Sequence, residues 1–512
     1  MSGRREDHRL LSGAGRYVAD LTEEGMVYGA VHRSSYAHAE IEHIDLERAR
    51  SMPGVLAIFT ADDLNEDGID NLPCGVELPR PNGEKAFQAR RRILADNRVR
   101  FVGEPVAFVV AETSGEAMDA SELVDVRYKE LPVVATLDEA LSGSSKNVWT
   151  EVPDNVAFVW ERGDRAKADA ALSAAAHTIS FEDHISRVTA APIEPRGCLG
   201  FVDPQGRLTL KIANQSPFAL ANALSGQLGV ARDQVHIIAG DLGGSFGMKS
   251  GAYPEDVLVL WAARKIGTPV KWIAERREDL LADDHGRDIR FTSKLALDET
   301  GAFLGLKVQL EIDIGCYLSG RSTVCLGNMG GISGVYMIPA VSAEARGIFT
   351  NKHMTAPYRG AGRPEATFII ERTIDAAARE LSIDPYELRF RNLIPNSSMP
   401  FDTGFLFNYD CGDFPANMST ARQLSQYDTF PDRRSKARDN GRLRGIGFSN
   451  PIEVAGGPFV KPMGDHTGLS LQVDGTWELK PGAMSTGQGL ETAFSDIVAD
   501  RLGLRPEQIT YR

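Results

Sequence analysis

Gln234-Val235-His236-Ile237-Ile238-Ala239-Gly240-Asp241-Leu242-Gly243-Gly244-Ser245-Phe246-Gly247-Met248-Lys249 is the stretch on which the fold of this chain turns. Its β-branched first part predicts a strand from Gln234 to Ala239, followed by a glycine turn, a helix from Pro254 to Lys265 and a strand from Val270 to Ala274. Two more glycine loops precede expected helices: Pro357-Tyr358-Arg359-Gly360-Ala361-Gly362-Arg363-Pro364-Glu365 and Thr486-Gly487-Gln488-Gly489. Lacking a β-carbon, glycines let backbone N–H groups come close to a ligand, and each helix start adds unpaired donors and a positive dipole end. Any one of these loops alone reads as a plain turn. Together the three suggest an anionic, pyrophosphate-bearing cofactor.

Around these loops the chain has the composition of a soluble globular protein: 512 residues, 42% hydrophobic and 25% charged, with 50 glycines. That length predicts two to four domains. A net charge of −14 argues against a general nucleic-acid or anionic-membrane surface. No apolar stretch follows Arg4-Arg5, and runs such as Val257 to Ala263 are too short to cross a bilayer, so a cytoplasmic protein is expected. Cys74, Cys198, Cys316, Cys325 and Cys411 are scattered without a Cys-x-x-Cys pair, and the ten histidines show no ligand spacing. The chain is therefore expected to supply no metal ligands of its own.

From Tyr28 to about Pro132 short strands alternate with helices, including a buried strand from Val106 to Ala111 and a helix from Ser114 to Leu123. Ser142 to Asn147 reads as a linker. Apolar positions Ile370, Ile374, Ala377 and Leu381 mark a helix from Glu365 to Leu381, and Asp384-Pro385 starts another carrying Leu388. Arg422 to Arg444 reads as a solvated segment. Gly445 to Gly457 and Leu469 to Leu479 are expected to be strands, and a last helix places Phe494, Ile497, Val498 and Leu502 on one face.

With these motifs in order, the chain resembles the molybdenum-binding large subunit of the xanthine dehydrogenase, aldehyde oxidase and aerobic carbon monoxide dehydrogenase family over nearly its whole length. The resemblance rests on Arg5-Glu6-Asp7 with Leu10 to Tyr17, Arg33 to Ala39, Arg100 to Ala111, Pro192-Ile193-Glu194-Pro195-Arg196 and the loop at Gly243. It continues through Val270-Lys271-Trp272, His285-Gly286-Arg287-Asp288, Tyr358 to Glu365, Glu371-Arg372, Asp384-Pro385 with Arg389 and Asn392, and Gly487-Gln488-Gly489. It implies an α+β fold, an N-terminal α/β hammerhead domain followed by molybdenum-cofactor-binding α+β domains. The expected bounds are 1–145 for the hammerhead, 146–420 for the first molybdopterin-binding domain and 421–512 for the start of a second, incomplete one.

The resemblance further implies a molybdenum–molybdopterin cofactor, commonly the cytosine dinucleotide, whose own dithiolene holds the metal. Gly243, Gly244, Phe246, Gly247, Arg359, Gly360, Ala361, Gly487, Gln488 and Gly489 would bind it. Gln215 matches the glutamine that hydrogen-bonds the metal's oxo group, and Arg359 would position substrate or pair structurally with Glu365 or Glu371. Phe246 has a core aromatic as its alternative reading, and Gln488 a structural turn. The implied reaction is hydroxylation of an aldehyde or N-heterocycle with water as oxygen source. Electrons would leave through a small [2Fe-2S] subunit and a medium FAD subunit in a dimer of heterotrimers.

The family's general-base glutamate belongs to a motif beyond Arg512, so the chain is expected to be a fragment or half of a split subunit. Glu194, Glu255 and Glu365 belong to upstream motifs and read as structural. Gly360 stands where carbon monoxide dehydrogenases carry a copper-binding cysteine, which disfavours carbon monoxide. The alternatives are a non-catalytic half-subunit that binds cofactor or partners, and an ordinary nucleotide binder, for which the chain lacks a Gly-Lys-Ser/Thr loop and a clear Rossmann fingerprint.

Overall fold

The computed structural model describes residues 3–143, 146–453, 464 and 466–512. Three β-sheets, each covered by helices, position the loops that matter. The largest has seven strands, in the order Val235–Ile238, Leu208–Ile212, Gly197–Val202, Val270–Ile273, Val27–Arg33, Pro105–Ala111 and Val55–Phe59. Residues from both sides of the expected linker thus share one sheet. Val27–Arg33 pairs parallel with the Val270 strand and antiparallel with Pro105–Ala111, whose seven residues are all buried. A continuous apolar run of this kind is what a strand covered on both faces requires. Behind the sheet lies the helix Pro254–Ile266, buried from Pro254 through Ala263.

A second sheet orders Val156–Gly163, Val341–Phe349, Phe303–Gly315, Ile289–Leu297 and His177–Ile185. The helix Arg363–Glu380 buries Ala366, Ile369, Ile370, Ile374 and Ala377 in the same core, so the periodic stripe read from the sequence is the face it packs. The third sheet has Thr467–Leu471, Trp477–Pro481 and Ile509–Tyr511, with the helix Leu490–Leu502 against it. The short helix Arg5–Leu11 docks here from the far end of the chain. Thr492 Oγ1 accepts from the Arg5 N–H at 2.8 Å and donates to Glu6, while the Arg5 guanidinium donates to the Ile509 carbonyl at 2.8 Å.

The fold is the α+β arrangement expected. One strand expectation fails: residues 445–453 form no strand, and 454–457 lie outside the described residues. Extended, β-prone sequence becomes a strand only with a partner, and among the described residues none pairs with 445–453. The charged stretch from Arg422 takes in the last turn of the helix Phe414–Leu424 and the helix Phe430–Asp439. Residues 144 and 145 of the expected linker also lie outside the described set. Among the described residues no helix is long and apolar enough to cross a membrane.

Where the first sheet joins its helices, ion pairs replace apolar packing. Arg33 pairs with Glu255 and Glu278, each at 2.6 Å, and Arg196 pairs with Glu255 at 2.8 Å and with Asp283. The Arg196 guanidinium also lies 3.9 Å from the Tyr253 ring centroid. The two guanidiniums hold the Glu255 carboxyl well below the ordinary range against the opposing effect of burial, so it stays ionised.

Candidate functional site

The first glycine loop is built by backbone strain and two carboxyl-bearing or amide side chains. Gly244, Phe246 and Gly247 all have positive φ, +105°, +55° and +94°, and Phe246 is the costly one because it carries a β-carbon. Glu194 fastens the loop's start: its carboxylate accepts from the Gly243 N–H at 2.8 Å and from the buried Lys249 ammonium at 3.4 Å. Burial pulls the Lys249 pKa down while Glu194 opposes that shift. Gln215 fastens the loop's end, its Oε1 accepting from the Gly247 N–H at 3.0 Å and from the Ser245 hydroxyl. A backbone N–H can only donate, so the side-chain oxygen is the atom facing Gly247, and the Gln215 NH2 has no partner among the described residues. Phe246 is 42% exposed, so the ring is no core anchor.

The second loop lies directly on the first. The Arg359 N–H donates to the Phe246 carbonyl at 3.0 Å, and a β-carbon on Gly247 would sit 2.5 Å from the Pro357 carbonyl oxygen. Glycine is required there both by conformation and by this close approach. The Arg359 side chain is exposed, forms no ion pair among the described residues, and lies 6.0 Å from the Phe246 ring centroid. Its two expected alternative partners are engaged elsewhere. Glu365 accepts from the Gly362 N–H at 2.9 Å and lies 3.6 Å from Arg287, whereas Glu371 binds Arg389 at 2.7 Å.

Arg287, quoted only as part of a motif, proves to be the loop's main support. Its guanidinium stacks 4.6 Å from the Tyr358 ring centroid and donates to the Arg359 carbonyl at 3.2 Å. Arg287 and Asp288 both have positive φ, +63° and +66°. Asp288 is held by Arg187 at 2.7 Å and His184 at 2.9 Å. Burial pushes the neighbouring His285 down to about 4, so it is a neutral ring behind the loop.

The third loop completes a continuous line. A β-carbon on Gly487 would come 4.0 Å from the Leu242 carbonyl, immediately before Gly243. Gly240, Asp241, Leu242, Ser485, Gly487 and Gly489 share one cavity of about 440 Å³. Gln488 closes its own turn, with Oε1 accepting from the Thr486 N–H and Nε2 donating to the Met484 carbonyl at 3.1 Å. What this loop offers outward is therefore backbone. The N–H groups of Gly244, Ser245, Phe246, Gly360, Gly487, Gln488, Gly489, Leu490 and Glu491 have no acceptor among the described residues.

The chemistry of this donor set suits a large anionic ligand that carries its own metal: many uncharged donors, one free amide, one exposed arginine. Among the described residues no group of three or more His, Cys, Asp or Glu could hold a metal ion. Cys325, the thiol nearest the second loop, is pushed up to about 12 by burial, which keeps it protonated and a poor ligand. The sequence did not reveal the contacts of Ser245, of Arg287 or of Arg4, which lies against Gly489. Their partners are 30, 72 and 483 residues away in sequence, beyond any local pattern.

Comparison with known proteins adds a second, independent line. Residues 148–393 and 420–512 match models of the molybdopterin cofactor-binding domain, and 12–132 match the aldehyde oxidase and xanthine dehydrogenase a/b hammerhead domain. The nicotine 6-hydroxylase large subunit of Paenarthrobacter nicotinovorans is 32% identical over 99% of this chain and 62% of its own length. The carbon monoxide dehydrogenase large chain of Hydrogenophaga pseudoflava is 32% identical over 99% and 65%. Quinoline 2-oxidoreductase from Pseudomonas putida 86 superimposes with a TM-score of 0.91 at 31% identity, covering all of this chain and 66% of that one. The chain thus spans less than two thirds of the length of each of these.

Proposed function

This chain belongs to the molybdopterin-binding large subunits of the aldehyde oxidase and xanthine dehydrogenase family, and from that premise we propose that it binds a molybdenum–molybdopterin cytosine dinucleotide and forms the substrate-oxidising part of a molybdenum hydroxylase. The observation that carries the reading is the contiguity of the three glycine loops, whose free N–H groups line one path from Gly360 to Glu491. When bound, the cofactor supplies the nucleophilic oxygen and accepts two electrons. The residues of this chain hold and orient it. Gln215 would hold the cofactor through its NH2, and the loops at Gly243, Gly360 and Gly487 would hold pterin and phosphates through their N–H groups. Phe246 and Arg359, 6.0 Å apart, would flank the substrate, the ring excluding water and the guanidinium stabilising developing negative charge.

An aldehyde or N-heterocycle is the substrate class, and [2Fe-2S] and FAD subunits are the electron-accepting partners in a cytoplasmic dimer of heterotrimers. Gly360 and the protonated Cys325 provide no thiolate for copper, which supports the choice against carbon monoxide. The division at 1–145, 146–420 and 421–512 is part of the same reading, with the shared seven-stranded sheet making the first two parts mutually dependent. None of Glu194, Glu255 and Glu365 serves as general base, since each carboxylate is engaged by backbone or guanidinium partners. The second reading is a non-catalytic half-subunit that binds cofactor or partners without turnover. The two are separated by one preparation from a host that makes the dinucleotide, analysed for molybdenum and pterin and assayed for dye reduction with quinoline-type and aldehyde substrates. Molybdenum with turnover supports the first reading and molybdenum without turnover the second; absence of both metal and pterin sinks the proposal.

A further inference from the structure

We propose that the N-terminal segment is a nucleotide-recognition element: the cavity between residues 4–17, 240–242 and 485–491 takes the terminal nucleoside phosphate of the cofactor, with Arg4 as a phosphate ligand and Tyr17 as a stacking surface for the base. This rests on the molybdopterin reading and adds to it the residues that tell a dinucleotide from the bare pterin monophosphate.

The cavity measures about 440 Å³ and its lining combines three kinds of chemistry. Cationic donors come from Arg4 and Arg9. Arg9 is bound to Asp241, its Nη2 donating at 2.8 Å, whereas Arg4 has no carboxylate partner for its guanidinium among the described residues. The Arg4 side chain lies across Gly489, whose missing β-carbon would be 3.5 Å from Arg4 Cδ, Nε and Cζ, and its Nη1 contacts the Gly487 carbonyl at 3.4 Å. It therefore stands over the free N–H groups of Gly487 through Glu491, a place where a phosphate would meet backbone donors and a guanidinium at once. Aromatic surface comes from Tyr17 and Tyr511, both half-buried, on which a base can stack. Acceptors come from Glu491 and from Asp7, one of whose oxygens already accepts from the Arg4 N–H at 3.1 Å, the complement of an exocyclic amine such as that of cytosine. Asp241 and Glu6 also line the cavity but are already satisfied, Asp241 by Arg9 and the Arg16 N–H at 2.7 Å, Glu6 by Thr492. Position matters as much as chemistry: the cavity opens beside Leu242, where the first loop begins, so a ligand lying along the loops continues into it.

The test uses the full chain, free of cofactor, titrated calorimetrically with CDP and separately with pyrophosphate. The wild type is expected to bind both. Arg4→Gln is expected to weaken both at least fivefold, with Arg4→Lys intermediate and the melting temperature unchanged, since Arg4 is exposed. Tyr17→Leu is expected to weaken CDP about tenfold and leave pyrophosphate unaffected. Equal CDP affinity in Arg4→Gln and wild type overturns the inference. A chain that takes up pterin but binds no CDP overturns it while leaving the cofactor reading intact, and a chain that binds neither overturns both.

Discussion

Gln215 illustrates how much a single residue can settle. Its oxygen is committed to Gly247 and Ser245, so the free side of its amide is a donor. Gln215→Glu preserves the accepted bonds and converts that free side into an acceptor. In cofactor-loaded protein, turnover is expected to fall about 100-fold while the melting temperature moves by less than about 2 °C. Steady-state dye reduction and calorimetry read the two separately, and an unchanged rate would remove Gln215 from the reaction. The residue itself was legible in the sequence from its place in a motif. Its orientation was not, because that depends on a hydroxyl and an N–H that arrive from a loop 30 residues on. Arg359 was legible as a candidate, but only the engagement of Glu365 and Glu371 elsewhere frees it for a ligand.

Among the elements, the glycine loops and the helices behind them were the most readable part of the chain, since periodic apolar positions and φ-permissive residues act locally. Pro254–Ile266 and Arg363–Glu380 fall within two residues of where the sequence places them. Residues 445–453 show the limit of local reading, because strand propensity says nothing about whether a neighbour exists to pair. The contact between the first two loops gives the prediction at this scale. Gly247→Ala must relieve both a backbone collision at 2.5 Å and a φ of +94°. A cost of about 2 kcal/mol or more is expected, seen as a melting temperature lowered by about 2 to 4 °C and as molybdenum content reduced by more than half. Retention of full metal content in this variant would show that the two loops need not touch.

For the molecule as a whole, the sheet shared across the expected linker was invisible in the sequence, since the pairing of Val27 with Val270 leaves no local trace. The buried pairs of Arg33 with Glu255 and Glu278 sit at that junction. Arg33→Met would leave Glu255 and Glu278 under-compensated and should destabilise the chain by about 3 to 5 kcal/mol. In urea the two parts are expected to unfold together, so a lowered single midpoint supports one cooperative unit and an unchanged midpoint refutes it. The same sheet shapes how the protein is made. Val27–Arg33 finds its Pro105–Ala111 neighbour early in translation, but its other edge waits for Val270–Ile273 to leave the ribosome. At cellular elongation rates that delay is on the order of ten seconds to a minute, during which a bare apolar edge is open to other nascent chains. Chaperone supply during synthesis should therefore govern how much of this polypeptide accumulates intact.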